Sequence, residues 1–324
     1  MTITTSTAQP SLEQLPKTYL VELDNFGAIS LSGEEKSKYL QGQVTCDVNS
    51  QTDSNLLIGA HCDAKGKVFS AFRLINRSSA HLLLQPKGSI EGSLKALQKF
   101  GVFAKVTIEE TDNLCFVALV GEQASRLLQQ EFSQVPDSLA PVLQVGTTSI
   151  VYLCGEQPRY LIIDDKATIS ALLTTLSLPT YSQAIWNLLE ISNGFPILNE
   201  KTSGQYVPQM LNLQAIKGIS FTKGCYLGQE TVARMQYLGK NKRALFSLNT
   251  KLTKPFQADD VVEKQLGENW RKAGDILACY QDDDGNCTIQ AILVKDEDLP
   301  NMRIASESNS IVSNQTLPYT LSAE

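Results

Sequence analysis

Histidine is nearly missing, with only His61 and His81 in 324 residues. A nucleophile that relies on an imidazole base therefore has few ways to assemble. His81 opens an apolar strand and reads as structural, whereas His61 sits beside Cys62, Asp63 and the Lys65-Gly66-Lys67 turn, a better setting for a role. Metal ligation there lacks further ligands. No C-x-x-C pair joins the cysteines at 46, 62, 115, 154, 225, 279 and 287, and their odd number and scatter argue against both a disulfide framework and a zinc site. Reduced, mostly buried thiols in a cytoplasmic chain fit this usage. No G-x-G-x-x-G opens a helix. The stretch 59–67 has the wrong spacing for a phosphate loop, with Val68 where Ser or Thr belongs, so nucleotide-binding folds drop out. No run approaches the roughly 18 apolar residues of a membrane span. The opening MTITTSTAQPSLEQLP has neither the apolar core of a signal peptide nor transit-peptide arginines, and residues 1–16 are expected to form a loose leader.

What is present is ordinary globular material, 42% apolar and 19% charged, long enough for two or three domains. The net charge of -6 conceals a basic stretch over 217–243, where Lys217, Lys223, Arg234, Lys240, Lys242 and Arg243 face only Glu230. The chain as a whole repels polyanions while this segment can attract an anionic group.

Periodicity predicts an α+β fold. YLVEL (19–23) and AISL (28–31) read as a strand pair, and Ser32-Gly33-Glu34-Glu35 has the form of a capping box opening a helix through Tyr39 and Leu40. LLIGAHC and KVFSAFRLI flank residues 63–66 as a hairpin, and AHLLLQ adds a strand. Ile90, Leu94, Leu97 and Phe100 then share one helical face that Gly101 stops, before the strand AKVTIEE. A second cycle of similar order runs through LCFVALVG, EQASRLLQQEF, SIVYL, RYLIID and ATISALLTTL. A helix over 182–193 carries Trp186, Leu189 and Glu190. Residues 199–225 lose all periodicity, which returns over 228–237. From Ala244 short strands around an acidic turn at 282–286 predict a small antiparallel barrel, with PYTLSAE as a last strand or docked end. The expected units are 17–112, 113–243 and 244–324, the first completed by residues from 181–243.

KGCYLGQE (223–230) is the working centre this reading singles out. Lys223 and the start of the following helix both favour the thiolate of Cys225, although a packed thiol in a turn between Gly224 and Gly228 is the plainer reading. Gln229 and Glu230 suit a first helical turn, and an i, i+4 pair accounts for Glu230 and Arg234 without a ligand. Trp186 and Phe26 read as core residues, yet such rings also suit a flat heteroaromatic ligand whose carboxylates would seek the basic segment.

KGCYLGQETVARMQYLGKNKRAL resembles the signature of the YgfZ family, folate-binding relatives of the glycine-cleavage T protein. The likeness extends through GFPILNEKTSGQYVPQMLNLQAIKGISFTKGCYLGQE, LQGQVTCDV and AHCDAKGKVFSAFRL. It implies two interleaved ferredoxin-like α+β units around a central channel, followed by a C-terminal antiparallel β-barrel. It also implies a tetrahydrofolate, or one-carbon derivative, binder that supports iron-sulfur enzymes, including those that methylthiolate tRNA, with effects reaching replication initiation. The essential thiol falls on Cys225, with Lys223, Gln229 and Glu230 beside it and Arg234 toward the ligand. Of two folate-associated tryptophans one matches Trp186, while the other position is Phe26, which keeps a stacking face and loses the indole N–H. The acidic pair of T proteins is missing from the stretch Gly66 to Ala71, which disfavours aminomethyl transfer. Expected partners are folate and iron-sulfur client enzymes, with no metal of its own, no DNA and no membrane. A one-carbon transferase remains an alternative, as does a tRNA-binding module on the basic segment, which the overall acidity opposes.

Overall fold

The computed structural model describes residues 5–239, 241–295 and 301–321. Lys240 of the basic segment, the first four residues of the expected leader and the last three of the tail lie outside the described residues. The chain runs through β1 (Thr18–Glu22), β2 (Phe26–Ser32), α1 (Lys36–Gln41), β3 (Leu57–Cys62), β4 (Val68–Arg77), β5 (Ala80–Pro86), α2 (Ile90–Gly101) and β6 (Thr107–Glu110). The second cycle is β7 (Cys115–Gly121), α3 (Ala124–Phe132), β8 (Val142–Val145), β9 (Thr148–Leu153), β10 (Arg159–Asp164), α4 (Lys166–Leu176), β11 (Thr180–Tyr181) and α5 (Gln183–Ser192). A long irregular stretch leads to α6 (Gln229–Tyr237), followed by β12 (Arg243–Lys251), β13 (Val261–Leu266), β14 (Asn269–Gln281), β15 (Asn286–Val294), β16 (Met302–Ile304) and β17 (Ser313–Gln315). No helix among the described residues is long and apolar enough to cross a membrane.

Three sheets result, ordered β3-β4-β5-β2-β6, β11-β1-β7-β10-β9-β8 and β16-β13-β14-β15-β12-β17. Alternation along the strands explains how the first two stack. In β7, Phe116, Ala118 and Val120 enter a core shared with Phe26, Ala28 and Leu84 of the first sheet, while Val117 and Leu119 face the layer under α3 and α4. The first sheet likewise turns Ile29 and Leu31 toward α1 and α2. The helix α5 drives Ile185, Trp186 and Leu189 into the shared core, so the two α+β units have one interior.

The predicted pairing of the opening strands does not form. Both segments are strands, but β1 pairs with β7 and β11 while β2 pairs with β5 and β6. The short link 23–25 carries the chain from one sheet to the other, which interleaves the units. The capping box fails as well. Ser32 is the last residue of β2, Glu35 precedes α1 without capping it, and the Glu35 carboxylate instead accepts from the Lys105 amide at 2.9 Å. The described part of the expected loose leader is docked: the Ser6 amide donates to Thr180, Pro10 accepts from the Tyr280 hydroxyl, and Leu15 is buried.

The predicted barrel is a six-stranded antiparallel sheet bent by bulges at Val262/Glu263 and Ile276/Ala278 around Leu248, Val262, Ile289, Leu293 and Ile304. Asp282 closes its acidic turn by accepting from the Asp284 and Asn286 amides. The tail docks through Tyr319, whose hydroxyl donates to the Gly194 carbonyl at 2.8 Å.

Candidate functional site

The irregular stretch before α6 has no strand of its own; its backbone closes local turns and is also tied at several points to the first unit. The Gly204 amide donates to Val68, Val68 to Tyr206, Ser220 to Thr45 and Leu227 to Gly42. Lys223 completes the join. Its ammonium donates to the carbonyls of Gln41, Val44 and Cys46 at 2.7, 2.8 and 2.7 Å. An ammonium has three donors and all are used here, so none is left for the Cys225 sulfur, whose thiolate Lys223 is expected to favour. Burial pulls the Lys223 pKa down to about 8, which leaves it protonated at neutral pH.

Two glycines lock the other side of the motif. Gly228 precedes α6 with φ +83°, and a Cβ there would meet the Asp63 carbonyl oxygen at 2.4 Å and the Gly66 Cα at 2.9 Å. Gly66 (φ +74°) faces back, with Thr231 and Gly228 against its own missing Cβ. The predicted 63–66 hairpin is present, held by the Asp63 carboxylate on the Lys65 and Lys67 amides. The segments 41–46, 63–68 and 204–228, remote in sequence, are therefore joined around the motif.

Cys225 is exposed there, as Cys154 is elsewhere, while Cys46, Cys62 and Cys287 are buried. Gln229 accepts from the Tyr226 amide at 3.2 Å and shapes the turn ahead of the helix. Glu230 and Arg234 form the i, i+4 pair at 2.6 Å, both exposed. His61 is structural: it is buried, its Nδ1 lies 2.9 Å from Ser93 Oγ and its ring tilts over Phe69. His81 is equally enclosed between Ser37 and Asn76. No group of three His, Cys, Asp or Glu side chains suited to a metal occurs among the described residues.

Phe26 and Trp186 come together, in a different core cluster from the one under α6. They meet edge to face at 6.1 Å in the core between the sheets, and Phe116 meets Phe26 edge to face as well, at 5.6 Å. Sequence reasoning missed what lies beside them. Glu190, one turn after Trp186 on the buried face of α5, accepts both Arg73 guanidinium nitrogens at 2.7 and 3.0 Å and Arg159 at 2.7 Å. Arg73 covers the Phe195 ring at 3.7 Å, and Arg159 covers Trp186 at 5.1 Å. All three charges are buried, and Arg159 Nε has no partner. Burial pushes the Glu190 carboxyl up, but the two guanidinium groups outweigh it and hold it below the ordinary value. The signal was legible: Glu190 is the one charged residue of QAIWNLLEIS, four places after Trp186 on an apolar face.

Over its whole length the chain is 78% identical to the tRNA-modifying protein YgfZ of Colwellia psychrerythraea, covering 100% of each. Proteins of the same name from Yersinia enterocolitica and Yersinia pestis are 36% identical over 98% of this chain and 97% of theirs. The family profile described as YgfZ, beta-barrel domain, matches residues 241–306. Among solved structures, glycine cleavage system aminomethyltransferase T from Bartonella henselae superposes with a TM-score of 0.73, covering 95% of this chain and 87% of that one. At 13% identity this likeness establishes a shared T-protein fold and nothing about chemistry. Alignment along the full length, rather than over one module, settles the kinship: the chain belongs to the YgfZ family.

Proposed function

We propose that the chain is a folate-binding accessory factor of tRNA modification that works beside iron-sulfur enzymes and uses Cys225 as its functional thiol. The full-length likeness to relatives named for tRNA modification carries this reading. The exposure of Cys225 where three segments converge supports the thiol's part in it. No ready-made metal group surrounds Cys225 among the described residues, so a cluster held on this thiol would draw its other ligands from a client protein.

The folate half rests on the chemistry between the sheets. Trp186, Phe26 and Phe195 offer ring faces, Glu190 offers a carboxylate suited to adjacent N–H donors, and two guanidinium groups over one carboxylate leave a positive excess. Arg159 Nε is a buried donor still wanting an acceptor, which a pterin carbonyl supplies. These residues would hold the ring, and admission requires Phe26 and Trp186 to part. When bound, a one-carbon derivative of tetrahydrofolate would bring a one-carbon unit to the site.

Two measurements test the reading. In cells lacking the protein, tRNA methylthiolation should fall and be restored by wild type but not by Cys225→Ser. Full restoration by Cys225→Ser removes the thiol's role, and no fall at all removes the tRNA role. Calorimetry with tetrahydrofolate should show binding by wild type and Cys225→Ala, with binding lost in Trp186→Ala; unchanged binding by Trp186→Ala refutes the placement. Turnover of methylene-tetrahydrofolate with an amine acceptor would instead make the protein a transferase.

A further inference from the structure

The far end of α6 presents an exposed apolar face. Tyr237 is 72% and Leu238 58% exposed at the far end of α6, although large apolar side chains this open are uncommon in the chain. The Tyr237 ring is not loose, since it rests edge to face on Phe221 at 6.4 Å, and Phe221 is itself packed against a hydrophobic core. Along the same helical stripe lie Glu230 and Arg234, and Cys225 stands just before its first turn. Exposed Lys242 and Arg243 follow directly. They are held beside α6 through Asn241, which donates to the Gln209 carbonyl at 3.0 Å while the Gln209 amide donates to Val232 at 2.7 Å. An open, pre-oriented aromatic ring flanked by cations on an otherwise acidic protein is the arrangement that stacks a splayed-out base and grips its phosphates.

The geometry points to the exposed face of α6 as a binding surface for single-stranded RNA, a tRNA loop, with one base stacked on Tyr237 and its backbone running past Arg234 toward Cys225. This rests on the tRNA reading above and names the contact surface that reading lacks. The nine residues of α6 span roughly 13 Å at about 1.5 Å per residue, with Tyr237 at its last position and Cys225 four residues before its first. The acidity of the remaining chain limits nonspecific binding, and stacking supplies a preference for unpaired bases over duplex.

Fluorescence anisotropy with the full chain, an isolated tRNA stem-loop and a duplex of the same stem tests this across a salt series. Wild type should bind the stem-loop more tightly than the duplex. Tyr237→Ala should weaken stem-loop binding by roughly 5- to 150-fold, and Tyr237→Phe should retain most of it. Lys242→Gln with Arg243→Gln should lower the slope of log affinity against log salt by about 1.4. Absence of stem-loop binding, or equal binding by Tyr237→Ala, overturns the inference. So does a result in which Tyr237→Ala leaves RNA binding intact and abolishes association with a tRNA-modifying enzyme, since the face is then a protein dock. If cells need the chain for tRNA modification while the stem-loop is not bound, only this inference fails; if they do not need it, the functional reading fails regardless of binding.

Discussion

Glu190 and Glu230 each pair with arginine, in opposite surroundings. The side chain of Glu190 is 3% exposed, between two guanidinium groups that each cover an aromatic ring; that of Glu230 is 77% exposed with one partner a helical turn away. In water the Coulomb gain nearly cancels against lost side-chain freedom, so the outer pair adds little. Inside, each charge depends on the others because none can return to solvent. The inner site thus behaves as a unit that a substitution breaks, and the outer site as a surface that a substitution edits.

Removing the inner carboxylate is the severest way to test that contrast. Glu190→Ala leaves two arginines buried and should cost about 3–5 kcal/mol of stability, read as a lower urea midpoint. A loss below about 1 kcal/mol would mean that the centre opens to water. Next comes the joint between hairpin and motif. Gly228→Ala must hold a left-handed φ and displace the Asp63 carbonyl, and the φ alone costs roughly 1–2 kcal/mol. Gly224→Ala meets nothing within 4 Å and should change the urea midpoint little, so equal effects would dissolve the proposed lock.

Acid provides a third comparison. Burial pushes His61 down to about 3 and His81 down to about 4, so the fold resists protons that the unfolded chain binds below about 6.5. Each histidine should therefore remove stability as pH falls from about 6.5 toward those values, by at most about 1.4 kcal/mol per pH unit. Urea midpoints at pH 7, 6 and 5 check this in wild type and His61→Gln, and a wild-type midpoint constant over that range would contradict buried neutral rings. The smallest effect belongs to the surface. Glu230→Gln should cost only about 0.3–0.5 kcal/mol, and less at high salt.

Much of this was legible in the sequence where the cause is local. Alternation located β7 and β10, the face Ile90-Leu94-Leu97 located α2, and the Asp63 turn was recognisable from its residues. Partnership was not. Nothing in residues 19–31 says that two neighbouring strands join different sheets, because a strand's own pattern specifies which faces are buried and not which edge it meets. The same limit applied at the thiol. Cys225 stood out by its neighbours, but the use of Lys223 depends on carbonyls some 177 to 182 positions away, and an ammonium near a thiol in sequence is indistinguishable from one turned elsewhere. Glu190 was visible as a misfit on an apolar helix, and only its two arginines, from separate sheets, explain it.

The Lys223 anchor and the Gly228 lock bracket Cys225, two residues before it and three after, so the backbone that carries the sulfur is tethered twice within one short turn. Such a sulfur explores space only by rotating about its own Cα–Cβ bond, a sweep of a few ångströms at most. It is a fixed post, not a swinging arm. Under the proposed function, a reactant would have to be delivered into that small arc, which would place timing and selectivity at this thiol in the docking of the incoming molecule.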